Sequence, residues 1–289
     1  MELNEKIREK QMSENFILGI MLALTGGFLD AYTYITRGGV FANAQTGNIV
    51  LMGINLAKGD FERVIHYVVP ILAFALGILL SEIIKATLKK SRHMHWRQIV
   101  VLAEIIILAV CGFIPSGKGN TFVNVMVSFV CSLQVETFRV INGNTVATTM
   151  CTGNLRSGTE LLFLGIKKKD KKITLRSLTY YGINLFFALG AIAGAIATKF
   201  LDVKSIFIAS VLLVIPFIIL NMYKYVFMKK GRRIKFNPMT FCFSILFLKA
   251  KCIYKAASLQ NRQRFSRQKA NKNYPTVFRQ IYAFAHLNY

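Results

Sequence analysis

The chain has 289 residues, 54% hydrophobic and 17% charged, with a formal net charge of +24. Soluble globular chains hold about a quarter charged residues, so the composition excludes an ordinary soluble enzyme. The positive excess does not indicate nucleic acid: fourteen of the 37 Lys and Arg lie between Lys229 and Arg279, no Asp or Glu follows Asp202, and no recognition motif accompanies the charge.

Residues 1–14 are polar and mixed in charge, with no cleavable signal, and read as a cytoplasmic N-terminus. The apolar residues that follow gather in runs of about 20, the length that crosses a bilayer core. Six spanning helices are predicted, at residues 16–36, 64–85, 98–114, 121–142, 174–198 and 203–227. Residues 40–57 and 146–166 are shorter or more polar and read as broken or re-entrant segments. Non-helical backbone is tolerated at membrane depth only where protein buries it or it lines a cavity. Residues 229–289 form a basic tail, read as an extension that touches lipid or as an atypical, disordered end.

Loop charge decides between six and eight spans. With six, and with both polar segments returning to the side they left, the inside loops hold 14 Lys and Arg against 5 outside. That satisfies the positive-inside rule, whereas eight spans would put the basic cluster of residues 85–97 outside. The expected protein is multi-pass in the cell inner membrane, with both termini cytoplasmic and the basic loops facing anionic lipid.

Sliding the chain against itself by 106 residues reveals a repeat. Thr46-Gly47-Asn48 falls on Thr152-Gly153-Asn154, Val40 on Val146, Asp30 on Glu136, and Tyr32 opposite Phe138. The halves are residues 15–114 and 121–228. With three crossings in each, the second enters from the opposite side, which makes an all-α membrane fold of two inverted three-helix repeats, a plan shared by secondary transporters and some channels.

Asp30 and its repeat mate Glu136 are carboxyls within apolar segments. Such groups face a bundle interior or a watery path, protonated or paired. They are read as a proton- or cation-linked site shared by the halves; the structural alternative pairs Asp30 with Arg37 and Glu136 with Arg139. Asn43-Ala44-Gln45-Thr46-Gly47-Asn48 and Thr149-Met150-Cys151-Thr152-Gly153-Asn154 join a permissive glycine to amide and hydroxyl groups. Asn43, Gln45, Thr46, Gly47, Asn48, Thr152, Gly153 and Asn154 are therefore candidate substrate-binding residues, the alternative being that they cap broken helices and hold the halves together. Arg156 and Glu160, four apart on one helical face, are placed to neutralise each other. Val50 and Ile54 stand at their counterparts, so a site here is asymmetric. Glu104 is a further embedded carboxyl without a repeat mate.

The five cysteines form no C-x-x-C pair, and His93-Met94-His95 has no acidic or thiol partner nearby. Neither a disulfide framework, a metal site nor a cofactor is expected. No soluble-enzyme motif occurs, and no catalytic residue is assigned; an intramembrane acid pair formed by Asp30 and Glu136 is a minor alternative that requires the two carboxyls to lie close together.

Gly26-Gly27-Phe28-Leu29-Asp30-Ala31-Tyr32, followed by Gly39-Val40-Phe41-Ala42-Asn43 and Thr46-Gly47-Asn48, resembles the YoaK family of bacterial membrane proteins over about residues 15–228. The second half carries a related T-G-N. The tail after about residue 230 departs from the family's usual length. The resemblance implies a polytopic inner-membrane protein and no particular substrate. Together these features lead to the expectation of a small secondary transporter or channel for an ion or small molecule, with a membrane scaffold or regulatory protein as the alternative.

Overall fold

A computed structural model describes residues 15–88 and 96–228. The N-terminal segment 1–14, the His93-Met94-His95 loop and the basic tail 229–289 with Cys242 and Cys252 lie outside the described residues. Within them the chain forms eight α-helices: α1 (Phe16–Thr36), α2 (Gln45–Ala57), α3 (Phe61–Leu88), α4 (Trp96–Cys111), α5 (Asn120–Thr137), α6 (Cys151–Lys168), α7 (Lys171–Leu201) and α8 (Ile206–Met228). A two-stranded hairpin, β1 (Val140–Ile141) and β2 (Asn144–Thr145), follows α5, and a 3-10 turn (Asp202–Ser205) joins α7 to α8.

Among the described residues three stretches, Phe16–Thr36, Phe61–Thr87 and Lys171–Asn221, are long and apolar enough to cross a membrane. The outward faces suit lipid: Leu72, Leu76 and Leu79 on α3, and Leu185, Leu189, Ile192 and Ile196 on α7, are all exposed. A contiguous apolar belt of this kind marks a surface made for something other than water.

Local chemistry sets the boundaries. Asn15 caps α1 by accepting from the Ile17 N–H at 3.0 Å, and Asp170 caps α7 through the Lys172 and Ile173 N–H groups. α1 stops before Gly38 and Gly39, both at positive φ, a conformation glycine adopts without strain. The largest departure of a boundary from expectation is at α5: helix is expected through residue 142, but α5 ends at Thr137. Asn142 and Gly143 both take positive φ, the two-residue turn that closes a tight hairpin, and this local chemistry overrides the apolar run.

The helix pairings fall into two sets. α1 packs on α7, α6 on α7 and α1 on α8; α3 packs on α5, α2 on α3 and α4 on α5. The 106-residue shift carries α1 to α5, α2 to α6, α3 to α7 and α4 to α8, so it turns each pairing of one set into a pairing of the other. α4–α8 maps onto itself. The first helix of each half thus packs on the third helix of the opposite half.

Glycines allow these exchanges. A Cβ on Gly27 would meet the Phe187 carbonyl of α7, one on Gly190 the Leu24 carbonyl of α1, and one on Gly194 the Phe28 carbonyl. Across α3 and α5, a Cβ on Gly77 would strike Ser132 and the Phe129 carbonyl. Between lipid-bathed helices close van der Waals contact is a main source of cohesion, and small residues permit it. Around the seams lies a core of Leu22, Phe28, Leu29 and Tyr32 with Val101, Leu108, Val127, Val130 and Leu213.

α1 and α5 run antiparallel: the Gln134 side chain reaches Leu22, while the Asn124 amide donates to the Arg37 carbonyl at 2.8 Å. Arg37 marks the end where α1 finishes. It is fully buried, and its guanidinium donates to the Cys111 carbonyl at the end of α4, to the Ile114 and Pro115 carbonyls just beyond it, to the Asn120 side chain and to the Tyr32 hydroxyl. Tyr32 in turn donates to the Val203 carbonyl at 3.2 Å. Arg37 therefore satisfies carbonyls that the end of α4 leaves open and brings its charge to the negative pole of that helix. It is not the partner of Asp30.

Candidate functional site

After α1 the chain folds back into the bundle. The Asn43 N–H donates to Asp30 Oδ1 at 2.6 Å and the Asn43 side-chain amide to the Gly26 carbonyl at 3.1 Å. Gly26 lies ten residues before the end of α1, so residues 37–44 retrace about 15 Å of the helix they follow. α2 then starts in the interior and leads back out, because α3 begins at the end where α1 finished: its His66 lies against Gly38 and within 3.2 Å of the Thr121 hydroxyl.

The second half makes the same excursion from the opposite end. α5 ends beside the start of α1, with Ile141 against Gly19. Residues 146–150 then dip inward until the Thr149 methyl abuts Gly26, and α6 starts there. α7 begins back at the hairpin, where Arg176 donates to the Asn144 side chain at 2.8 Å and Tyr180 to the Thr145 carbonyl at 3.1 Å. The starts of α2 and α6 thus converge on Gly26 from opposite ends of the bundle. Asn43 and Thr149 are themselves repeat mates, which the shift of 106 already places opposite each other.

This junction is polar and incompletely paired. Asp30 is buried against the N–H of Asn43, with the N–H groups of Ala42 and Ala44 close by, so its carboxyl sits at the positive pole of α2. Neither α2 nor α6 has a side-chain cap of its own. Asn43 Oδ1, Thr148 Oγ1 and Thr149 Oγ1 are buried without a hydrogen-bond partner, as are Ser128 Oγ and Asn124 Oδ1 on α5. Buried polar atoms are nearly always satisfied, so an unpaired group of oxygens beside two helix N-termini marks a place suited to a polar guest. Among the described residues no group of three or more His, Cys, Asp and Glu side chains is placed to hold a metal ion.

The T-G-N residues divide. The Asn48 carboxamide accepts from the Phe41 N–H at 2.9 Å and donates to the Phe41 carbonyl at 2.7 Å and to Gln45 Oε1 at 2.8 Å, while Gln45 donates to the Ala42 carbonyl. Asn154 does the same on Ala147, accepting from its N–H at 3.3 Å and donating to its carbonyl at 2.6 Å, with a further bond to Asn184. Gln45, Asn48 and Asn154 are thereby engaged in closing the two inward loops. Gly47 lies under the Phe41 ring. Thr46, Thr152 and Gly153 are exposed on the outward side of the first turns of α2 and α6.

Glu136 does not join Asp30. The antiparallel register of α1 and α5 puts it about 15 Å along the axis from Asp30, beside Glu82 of α3 and paired with Arg139 at 3.1 Å. The spacing to Arg139 was readable in the sequence; the separation from Asp30 was not, and it removes the basis for an acid pair. The carboxyl nearer the junction is Glu104, fully buried on α4. The Gln134 amide, with its nitrogen toward α4, donates to both Glu104 oxygens at 3.0 and 3.2 Å. Cys131 lies between Glu104, Asp30 and Asn43. Residue spacing on α5 could have revealed this face, because Asn124, Ser128 and Cys131 recur at helical intervals.

Apolar outward faces, buried acids and inward-folded polar loops together define an all-α transmembrane protein. The chain belongs to the family described as "Protein of unknown function (DUF1275)", whose model matches residues 18–219. It is 27% identical over 188 residues, 61% of this chain and 81% of its relative, to the UPF0700 transmembrane protein YoaK of Bacillus subtilis (strain 168). Membership of the YoaK family, anticipated from the paired motifs, is thus established. No solved structure matches.

Proposed function

We propose that the protein is a small secondary transporter or channel whose path crosses the junction of α2 and α6. The observation that supports this most is the group of unpaired, buried oxygens of Asn43, Thr148 and Thr149 beside Asp30 and two uncapped helix starts. Discontinuous helices whose ends present polar groups in mid-membrane are the usual way transporters hold small solutes and ions. In this proposal the bundle has six spans in two inverted halves, both termini are cytoplasmic, and α2 and α6 are half-helices entering from opposite faces. Basic loops at the cytoplasmic face contact anionic lipid. Asp30 is the central group of the path, and Glu136 with Glu82 lies at its cytoplasmic mouth. A solute displaces the two inward loops against each other, which alternates access.

The test is flux through the full-length protein in liposomes, screened against alkali cations, halides and small polar metabolites. Asp30→Asn keeps an acceptor for the Asn43 N–H and so retains the loop, but is expected to abolish flux, whereas Glu136→Gln alters its rate. If no solute in the screen moves, or if Asp30→Asn leaves transport unchanged, the proposal fails. A second reading, a non-transporting membrane scaffold, is favoured by the engagement of Gln45, Asn48 and Asn154 in their own loops. It expects well-folded Asp30→Asn protein, no flux for any solute, and no change in thermal stability on adding one.

A further inference from the structure

The outward face of α6 differs from the other lipid-suited faces. Thr152, Gly153, Arg156, Glu160 and Phe163 lie within one stripe of the helix and all are exposed. Among the described residues Arg156 and Glu160 make no ion pair or hydrogen bond, with each other or with any neighbour. Order along the helix contributes to this: an acid preceding a base by four residues pairs better than the reverse arrangement found here. The equivalent face of α2 carries Val50 and Ile54 and is apolar. The two halves differ in the glycine as well. Phe41 covers Gly47, but its repeat mate is Ala147, too small to cover Gly153, and a Cβ at Gly153 would meet nothing within 4 Å.

We infer that this stripe is the contact between two copies of the chain, which pair α6 against α6 about a two-fold axis along the membrane normal. Copies inserted in the same orientation can be related only by such an axis, and it sets the two α6 helices side by side and parallel. Arg156 of each copy then lies one turn, about 6 Å along the axis, from Glu160 of the other, close to the offset of reciprocal ion pairs in parallel coiled coils. Two reciprocal pairs neutralise all four charges, and none is left facing hydrocarbon, where an unpaired charge is costly. Bare Gly153 and small Thr152 allow the helix starts to approach closely, and Phe163 packs beyond the charges. The stripe is complementary to itself, as a two-fold interface requires, and that argues for a second copy over an unrelated partner.

The test uses full-length protein in liposomes, with photobleaching steps counted per particle. Wild type is expected as dimers. Copies carrying R156E repel one another, as do copies carrying E160R, so each variant alone is expected to dimerise about 10- to 100-fold more weakly. Mixing the two variants under different tags restores both contacts, so they are expected to co-purify as a one-to-one pair, which also shows that each is folded. The double variant R156E/E160R is expected to dimerise with itself. A monomeric wild type, single variants that dimerise like wild type, or a mixed pair that fails to associate would each overturn the inference. The last outcomes would leave the charges to lipid headgroups or a different protein.

Discussion

Asn48 and Asn154, 106 residues apart, each grip the backbone N–H and carbonyl of the residue seven positions earlier, Phe41 and Ala147, with a single carboxamide. No other short side chain carries a donor and an acceptor in that fork. Asn48→Ala therefore leaves a buried N–H and carbonyl open, at about 1–3 kcal/mol for each group stranded. Asn154→Ala is expected to lower the thermal midpoint in detergent by a similar amount, because each asparagine gives up one further side-chain bond, Asn48 to Gln45 and Asn154 to Asn184. Asn48→Asp keeps the acceptor only and should fall between. Thr46→Ala, on the exposed side of the same turn, is expected to change stability by less than about 0.5 kcal/mol; equal effects at Thr46 and Asn48 would contradict the assignment.

Arg37 ties the end of α1 to the ends of α4 and α5 through one planar group. Arg37→Ala strands the Ile114 and Pro115 carbonyls at about 1–3 kcal/mol each, and Arg37→Lys recovers little because an ammonium lacks the fork that reaches several acceptors at once. Both variants should melt well below wild type by fluorescence-detected size exclusion, with lysine close to alanine. A lysine variant as stable as wild type would show that charge alone is required.

The glycines make opposite predictions by position. Gly27→Leu or Gly190→Leu drives a side chain into the backbone of the facing helix; overpacking of this kind costs about 1–3 kcal/mol or more and should lower folded yield sharply. Gly53, in mid-α2 with nothing near its Cβ position, should tolerate Gly53→Ala with a gain of about 0.5–1 kcal/mol. Thermal midpoints of the three purified variants decide between these outcomes.

The proposed six-span arrangement assigns sides to the turns that follow the inward loops. In a background with the native cysteines replaced by alanine, Lys58→Cys is expected to react with an impermeant maleimide added to intact cells, and Lys168→Cys only after the membrane is opened. Labelling of both from outside would require a different number of crossings.

Much of the fold could be read from residue order. Apolar runs of spanning length, interrupted by basic loops, located the helices, since a bilayer tests each stretch of chain separately. The inward loops were visible as polar, glycine-bearing interruptions. What could not be read was which helix meets which. The exchange of α1 and α5 between halves is a tertiary choice, made through Gly27, Gly77, Gly190 and Gly194, and it leaves no mark on hydropathy. For the same reason the sequence offered Arg37 only as a candidate partner for Asp30, seven residues earlier, and did not point to the carbonyls at the end of α4 that it meets. Glu136 matched Asp30 in alignment, yet α3 sets Glu82 beside it while Asp30 meets the folded-back Asn43. Alignment equates positions, and neighbours set their chemistry.

The crosswise packing of α1 with α7 and of α3 with α5 also bears on synthesis. When the ribosome has delivered only the first four helices, the glycine seam of α1 and the small-residue notch of α3 have no mates, because both lie in chain not yet made. The nascent half must wait in the bilayer with its best contacts unmade, and completion resembles the clasping of two hands more than the stacking of two blocks.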